Sequence, residues 1–269
     1  LSYLFDIYLS KVSAQRNFLT FSVYSTMFPY TSAGPIVRYT DIETQLKQRT
    51  INISKFGIGA ELFVKGLAKK VLLADNLSVL YSSICGHPQM SVFTSWLGIL
   101  AYTMQLYFDF SGYSDMAIGL GKMLGFDFNK NFDYPYISTS VSEFWRRWHI
   151  SLGSWFRDYI YIPLGGNRVS TLKHIRNILV VWALTGLWHG ASWNFIVWGL
   201  LNGIIMLASQ ELEPVYAKVD GKLHLKKYTA YKVFEIIRTT AIVCVLQMLD
   251  YHRNIADAFR QFISMFTTA

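Results

Sequence analysis

The chain has 269 residues, of which 52% are hydrophobic and 16% aromatic, with a formal net charge of +8. Its two cysteines, Cys85 and Cys244, lie far apart and form neither a disulfide framework nor a metal-ligand spacing. The basic residues cluster between apolar segments, as the positive-inside rule predicts, so the charge is not read as a nucleic-acid footprint.

The opening LSYLFDIYL reads as the tail of a membrane helix, with no signal peptide, and the chain is expected to be an internal portion of a longer polytopic protein. Asn17 to Val37 is uncharged and long enough to span, but Pro29 and Gly34-Pro35 predict a broken or re-entrant segment. Arg38 to Lys55 is polar and basic, hence cytoplasmic. Phe56 to Ile84 places helical apolar positions between Lys65, Lys69 and Lys70 and enters the membrane after Lys70. Cys85-Gly86-His87-Pro88 reads as a turn. Val92 to Phe108 is apolar and runs into DFSGYSD and the glycine-rich GLGKMLGF. Two crossings between Lys70 and Lys122 keep both basic regions on one side.

Ser142 to Tyr161 is amphipathic. At 100° per residue Trp145, Trp148, Leu152, Trp155 and Tyr159 share one face, Arg146, Arg147, Arg157 and Asp158 the other, and His149 lies at the edge. Such a helix suits the membrane interface or the rim of a cavity. It ends at Pro163 and Gly165-Gly166, before basic Arg168, Lys173 and Arg176. Asn177 to Gln210 contains no Asp, Glu, Lys or Arg. About 34 residues would extend roughly 50 Å as a helix, well beyond the hydrocarbon core. Either one helix overshoots, or two meet near Ala191-Ser192-Trp193-Asn194. Glu211 to Arg238 reads as a lysine-rich loop, Thr239 to Leu249 as a weaker final span, and Tyr251 to Ala269 as an amphipathic piece. The expected fold is all-α and multi-pass, a single membrane domain with short, broken and amphipathic helices around a central funnel. Its basic loops, 38–70, 122–176 and 211–238, share one face if the short helices come in pairs.

His189 sits near the middle of the uncharged 177–210 stretch, and an ionisable group at that depth marks a functional site by default. Trp188, Gly190 and Trp193 make its surroundings apolar and closely approachable. Such a pocket keeps the ring neutral, the state a general base needs; the competing reading is a histidine bonded to a carbonyl and serving only packing. His149, beside Trp145 and Trp148, either faces substrate or is only a polar edge. Asp109 and Asp115, six residues apart, do not share a helical face, and read more readily as a helix terminus at the interface than as a joint carboxylate pair. Arg38 either holds an anionic donor group or anchors topology. The GLG of residues 119–121 follows no predicted strand, so a dinucleotide fingerprint fails on context. Gly186/Gly190 and Gly199/Gly203 have the G-x-x-x-G spacing of helix contact. Two histidines without a third ligand make a zinc site improbable.

Four stretches together resemble the membrane-bound O-acyltransferase family, and within it the bacterial alginate O-acetyltransferase branch. They are FPYTSAGPIVRY (Phe28–Tyr39), YFDFSGYSDMAIGLG (Tyr107–Gly121), SEFWRRWHISLGSWFRDYIYIPLGGNR (Ser142–Arg168) and LTGLWHGASWNFIVWGL (Leu184–Leu200). The resemblance implies a multi-pass protein of the bacterial inner membrane, thinned where funnels from its two faces meet. It makes His189, in LWHG, the catalytic residue and His149, in WRRWH, a second functional position. Trp145, Arg146, Arg147, Trp188 and Asn194, which lie within these motifs, are substrate-binding candidates; Arg38, Asp109 and Asp115 are candidates on the residues alone, since the resemblance carries no role over to them. After Arg238 the chain departs from the family's pattern: VCVLQMLDYHRN stands where an aromatic Gly-Trp-like run with Phe-Arg is expected.

The implied reaction is transfer of an acetyl group from a cytoplasmic thioester, acetyl-CoA or a similar donor, with no bound cofactor and no metal. His189 accepts the alcohol proton or carries the acyl group. Arg146, Arg147 and Arg157 would attract the donor's phosphates. The implied partners are the bilayer, the donor, and a polysaccharide acceptor or an extracellular acetyl-relay protein, with no nucleic acid. Two alternatives remain at this point: D-alanyl transfer to teichoic acid within the same family, and a transporter or channel in which His189 gates a path without chemistry.

Overall fold

Short polar side chains start several of the helices. Asn17 accepts from the Thr20 amide at 3.1 Å, Asn52 from Lys55 at 2.8 Å, Ser140 from Glu143 at 3.1 Å and Asn254 from Asp257 at 3.0 Å. Each satisfies an amide that the first helical turn leaves open. The structure is a computed structural model describing residues 1–86, 91–252 and 254–267. His87 and Pro88 of the expected turn lie outside the described residues, as do residues 253, 268 and 269 of the last amphipathic piece.

Among the described residues the regular structure is helical, with no strand. In chain order the helices are α1 (Ser2–Tyr8), α2 (Phe18–Thr26), α3 (Phe28–Thr31), α4 (Tyr39–Lys47), α5 (Ile53–Ala68), α6 (Asp75–Cys85) and α7 (Val92–Met123). Then come α8 (Val141–Arg147), α9 (Ile150–Phe156), α10 (Thr171–His189), α11 (Trp193–Glu211), α12 (Glu213–Leu223), α13 (Thr229–Tyr251) and α14 (Ile255–Ser264). One-turn π segments at Lys69–Ala74 and Arg157–Tyr161 follow α5 and α9. The break expected around Pro29 is present between α2 and α3. Three expectations are corrected. Helix α7 continues through DFSGYSD into GLGKM, the lysine-rich loop at 211–238 is mostly α12 and the start of α13, and the amphipathic helix over 142–161 is interrupted at Trp148–His149.

The chain divides into two compact units. The first comprises residues 1–77, 104–133 and 149–155. Its helices α5 and α7 touch backbone to backbone at glycines spaced seven apart. A Cβ added to Gly119 would lie 2.6 Å from the Gly59 carbonyl oxygen, and one on Gly112 would lie 2.7 Å from that of Gly66. Small residues that let helix backbones meet are the usual contact where lipid offers no hydrophobic contrast. This explains why the helix passes through the glycine-rich stretch. The same pair is tied by Lys69 to Asp115 and Lys70 to Asp109, each at 2.6 Å. Met27, Ile42, Ile118, Phe126 and Phe128 form the core.

The second unit comprises residues 78–103, 134–148 and 156–269. Here the two-helix reading of 177–210 holds: α10 and α11 form a hairpin around Gly190–Ser192. Gly186 meets the Phe195 carbonyl, and Gly199 comes within 3.1 Å (as built Cβ) of the Gly186 backbone, so the small-residue spacing does mark helix contact. Helix α13 packs on α11 around Ile178, Trp182, Trp198 and Leu246. Helix α14 is held to the start of α7 by Ser95–Ser264 (2.9 Å) and by the Trp96 indole N–H on the Met265 carbonyl (3.0 Å).

Among the described residues one helix, α11, is both long and apolar enough to cross a membrane. Large apolar side chains are exposed over much of the surface, including Leu72, Val79, Phe93, Trp193 and Phe234.

Candidate active site

His189 is the last residue of α10, where the chain leaves the helix for the Gly190–Ser192 turn. Its ring stands edge-on to Trp198 at 4.9 Å and to Trp188 at 5.0 Å, and lies nearly parallel to Phe195 at 6.1 Å. His189 is exposed on the chain itself, since α10 ends at it, and its neighbours Leu187, Trp188 and Trp193 are exposed as well. Neither ring nitrogen is hydrogen-bonded among the described residues, so the packing-only reading, which needs a carbonyl partner, lacks its partner. A reachable, unengaged ring nitrogen in an aromatic setting is what proton abstraction requires.

Helix α13 closes one side of this site. Buried Asn194, at the start of α11, donates its amide to the His252 carbonyl just beyond α13. Two residues earlier, Asp250 accepts the Tyr102 hydroxyl at 2.8 Å. Tyr81, Tyr102 and Tyr251 enclose that end of α13, with ring centroids 4.6 to 5.3 Å apart. Sequence reasoning passed over Asp250. Its only signal was a lone carboxylate in the run VCVLQMLDYH.

Among the other candidates in this unit, Trp145 packs on Trp182 (4.9 Å) and Trp198 (5.7 Å), and its buried indole N–H has no partner among the described residues. Trp198 therefore touches both Trp145 and His189. Arg147 is committed to Glu143 at 2.8 Å and Arg157 to Asp158 at 2.6 Å, whereas Arg146 is exposed.

His149 belongs to the first unit and is buried, not at an amphipathic edge. It sits in the left-handed region at φ 46°, where α8 ends and α9 begins. Its Nδ1 lies 3.1 Å from Oδ1 of Asn131, a side chain with no exposed surface. That oxygen also accepts the Ser151 amide at 3.2 Å and the Ser151 hydroxyl at 2.9 Å, while Asn131 Nδ2 donates to Ser114 Oγ at 3.0 Å. The Ser151 amide can only donate, so the Asn131 atom is an acceptor and His149 Nδ1 must carry the proton. In the neutral ring Nε2 is then the basic nitrogen. Phe110 (4.7 Å) and Phe132 (6.5 Å) flank the ring.

In the same unit Asp109 and Asp115 stand in the middle of α7, each paired with a lysine, which corrects the reading of a helix terminus. Arg38 precedes α4, where its amide donates to Asp41 at 2.9 Å. Among the described residues no cluster of three or more His, Cys, Asp or Glu could hold a metal ion.

The description of the membrane-bound O-acyltransferase family matches residues 9–249, and the chain belongs to that family. Relatives include the probable alginate O-acetylase AlgI of Azotobacter vinelandii, 50% identical over 203 residues (76% of this chain, 41% of that protein). AlgI of Pseudomonas syringae is 42% identical over 270 residues, 99% of this chain and 50% of that protein. The peptidoglycan O-acetyltransferase of Helicobacter pylori is 36% identical over 250 residues, 91% of this chain and 46% of that protein. The chain thus spans about half the length of the curated relatives it matches.

Proposed function

We propose that the protein transfers acetyl groups from a cytoplasmic thioester to hydroxyls of an exported polysaccharide, as a multi-pass enzyme of the bacterial inner membrane. The observation that carries this reading is His189: an exposed ring with both nitrogens unengaged, at the turn of a glycine-packed hairpin in a family of acyltransferases. The AlgI and peptidoglycan relatives, named for O-acetylation, support acetate as the group and a polymer as the acceptor.

An alcohol is a poor nucleophile until it loses its proton. His189 takes that proton as the oxygen attacks the thioester carbonyl. The C–S bond then breaks, and the thiolate recovers the proton from the imidazolium. Exposed Arg146 is the guanidinium best placed to meet donor phosphates, because Arg147 and Arg157 already hold carboxylates. His149 serves as the second functional histidine, with its ring and proton position set by Asn131. Asn194 and Trp145 shape the pocket, and Trp188 forms its rim. Arg38, Asp109 and Asp115 stay substrate-binding candidates of the first unit. A polysaccharide or an extracellular relay protein receives the acetyl group.

The test is His189→Ala in the complete gene product, reading ester-linked acetate on the exported polymer. Acetate falls by about 100-fold or more while the protein's level in membranes stays normal. Unchanged acetate rejects the reading, and ester-linked alanine on the envelope in its place would favour D-alanyl transfer.

A further inference from the structure

In the first unit, the link between α4 and α5 meets the loop that follows α7, and charge and apolar surface sit there side by side. Gln45, near the end of α4, accepts the Asp127 amide at 2.7 Å and donates to the Asp127 carbonyl at 3.3 Å, which joins the two loops. A Cβ built on Gly125, at φ 85°, would lie 3.0 Å from both the Ile51 side chain and the Thr50 carbonyl oxygen. The Asp127 carboxylate gathers two ammonium groups, Lys55 of α5 and Lys122 of α7, each at 2.7 Å. Arg49 lies with its guanidinium 4.9 Å from the centre of the Phe126 ring, and among the described residues no carboxylate pairs with it. Three cations against one carboxylate leave two positive charges. The nearby lysines add none, since Lys47 is held by Glu43 at 3.3 Å and Lys130 by Asp133 at 2.5 Å. Large apolar side chains surround these cations: Ile53 is 92% exposed, Ile51 62% and Phe56 52%, and Leu124 is exposed as well.

We propose that this node is a binding site for an anionic phospholipid of the phosphatidylglycerol class: Arg49, Lys55 and Lys122 meet the headgroup phosphate, and Ile51, Ile53, Phe56 and Leu124 enter the acyl region beside it. A soluble anion would use the charge and leave the isoleucines and the phenylalanine in water. Bare hydrocarbon would cover the apolar side chains and strand the cations. A molecule with an anionic head on acyl chains satisfies both, and the chain belongs to a membrane-bound family, so such molecules surround it. Basic side chains at a membrane surface are drawn to anionic lipid, and the planar guanidinium of Arg49 matches two phosphate oxygens at once. Asp127 costs one charge but keeps both ammonium groups at one point, so the site is assembled before the lipid arrives. It shares no residue with the His189 chemistry, so the proposed reaction stands whichever way the test falls.

The experiment places the complete gene product in vesicles of equal parts phosphatidylcholine and phosphatidylglycerol, releases it into a neutral detergent, and counts the lipid each molecule retains by native mass spectrometry. The parent retains phosphatidylglycerol over phosphatidylcholine by about 5- to 25-fold, at about fivefold for each net charge. Arg49→Gln combined with Lys122→Gln removes the net charge while Asp127 keeps Lys55, and the ratio falls to within about twofold of parity. If the double variant does not accumulate, Arg49→Gln alone breaks no ion pair and lowers the ratio by about fivefold. Lys226→Gln combined with Lys227→Gln, which removes two exposed lysines of the second unit, changes the ratio by less than about twofold. Parity in the parent, an undiminished ratio in the variant that accumulates, or an equal loss in the Lys226 and Lys227 variant overturns the proposal. Displacement of the lipid by excess CoA also overturns it, because the cations would then belong to the phosphates of the acyl donor.

Discussion

Asn131 offers a sharp test of how the His149 loop is held. Its side chain has no exposed surface, and one oxygen accepts three donors: His149 Nδ1, the Ser151 amide and the Ser151 hydroxyl. The Ser151 hydroxyl accepts in turn from the Ile36 amide at 2.9 Å. Truncation in Asn131→Ala leaves the Ser151 amide and the His149 Nδ1 proton buried without that acceptor. Each orphaned donor costs roughly 1–3 kcal/mol, so the variant should lose about 3–5 kcal/mol. Ser114→Ala leaves the Asn131 oxygen and its three donors in place and removes only the partner of Asn131 Nδ2, so its loss should be about 1–2 kcal/mol. Thermal unfolding in detergent, followed by near-UV circular dichroism, reads the difference. Asn131→Ala falls by roughly 6–20 °C, at about 2–4 °C per kcal/mol, and Ser114→Ala by about 2–8 °C. Equal losses in the two variants would refute the reasoning, since packing and not acceptor capacity would then hold the loop.

Two further predictions concern other parts of the fold. Gly66→Val drives a side chain into the Gly112 carbonyl and the Met116 amide and should abolish accumulation of folded protein, whereas Gly57→Ala, with nothing within 4 Å, should be neutral or gain up to about 1 kcal/mol; detergent-resistant folded yield distinguishes them. Burial pulls the Glu143 carboxyl up, but the Thr139 amide and hydroxyl and the Arg147 guanidinium outweigh it and hold the group below the usual glutamate range. A depressed folded-state value means stability present above the unfolded-state value and lost as pH falls through the folded one. Glu143→Gln should therefore cost stability at neutral pH, with the gap to the parent closing under acid below the ordinary glutamate range; a gap independent of pH contradicts this.

What could be read from sequence was what is local. The length of the uncharged 177–210 stretch left either one overlong helix or two meeting near Ala191–Asn194, and the structure takes the second, with the glycine spacing marking helix contact. The Pro29 break was legible for the same reason. What went unread depends on distant partners. Nothing within WRRWHISLG announces a left-handed histidine, because the residue that holds it, Asn131, is 18 positions away. The lysines that pair with Asp109 and Asp115 lie 39 and 46 residues from them, so the two acids could not be told from helix ends. Helix α12 was missed because its lysines and acids look like a loop in composition, although alternating charge is compatible with a solvated helix.

Asp250 is a different kind of omission, because its signal was local and the rule that would have caught it was already in use. An ionisable group in an apolar run marked His189, and the same argument applies to the single acid of VCVLQMLDYH. The departure of that run from the family's pattern drew attention away from the one polar group it contains. In the fold that acid is steadied by the Tyr102 hydroxyl within the Tyr81–Tyr102–Tyr251 cluster. An ionisable side chain in an apolar run is tolerable only where the fold supplies such a polar partner, and the partner here lies 148 residues away in sequence, which is why the run alone does not reveal it.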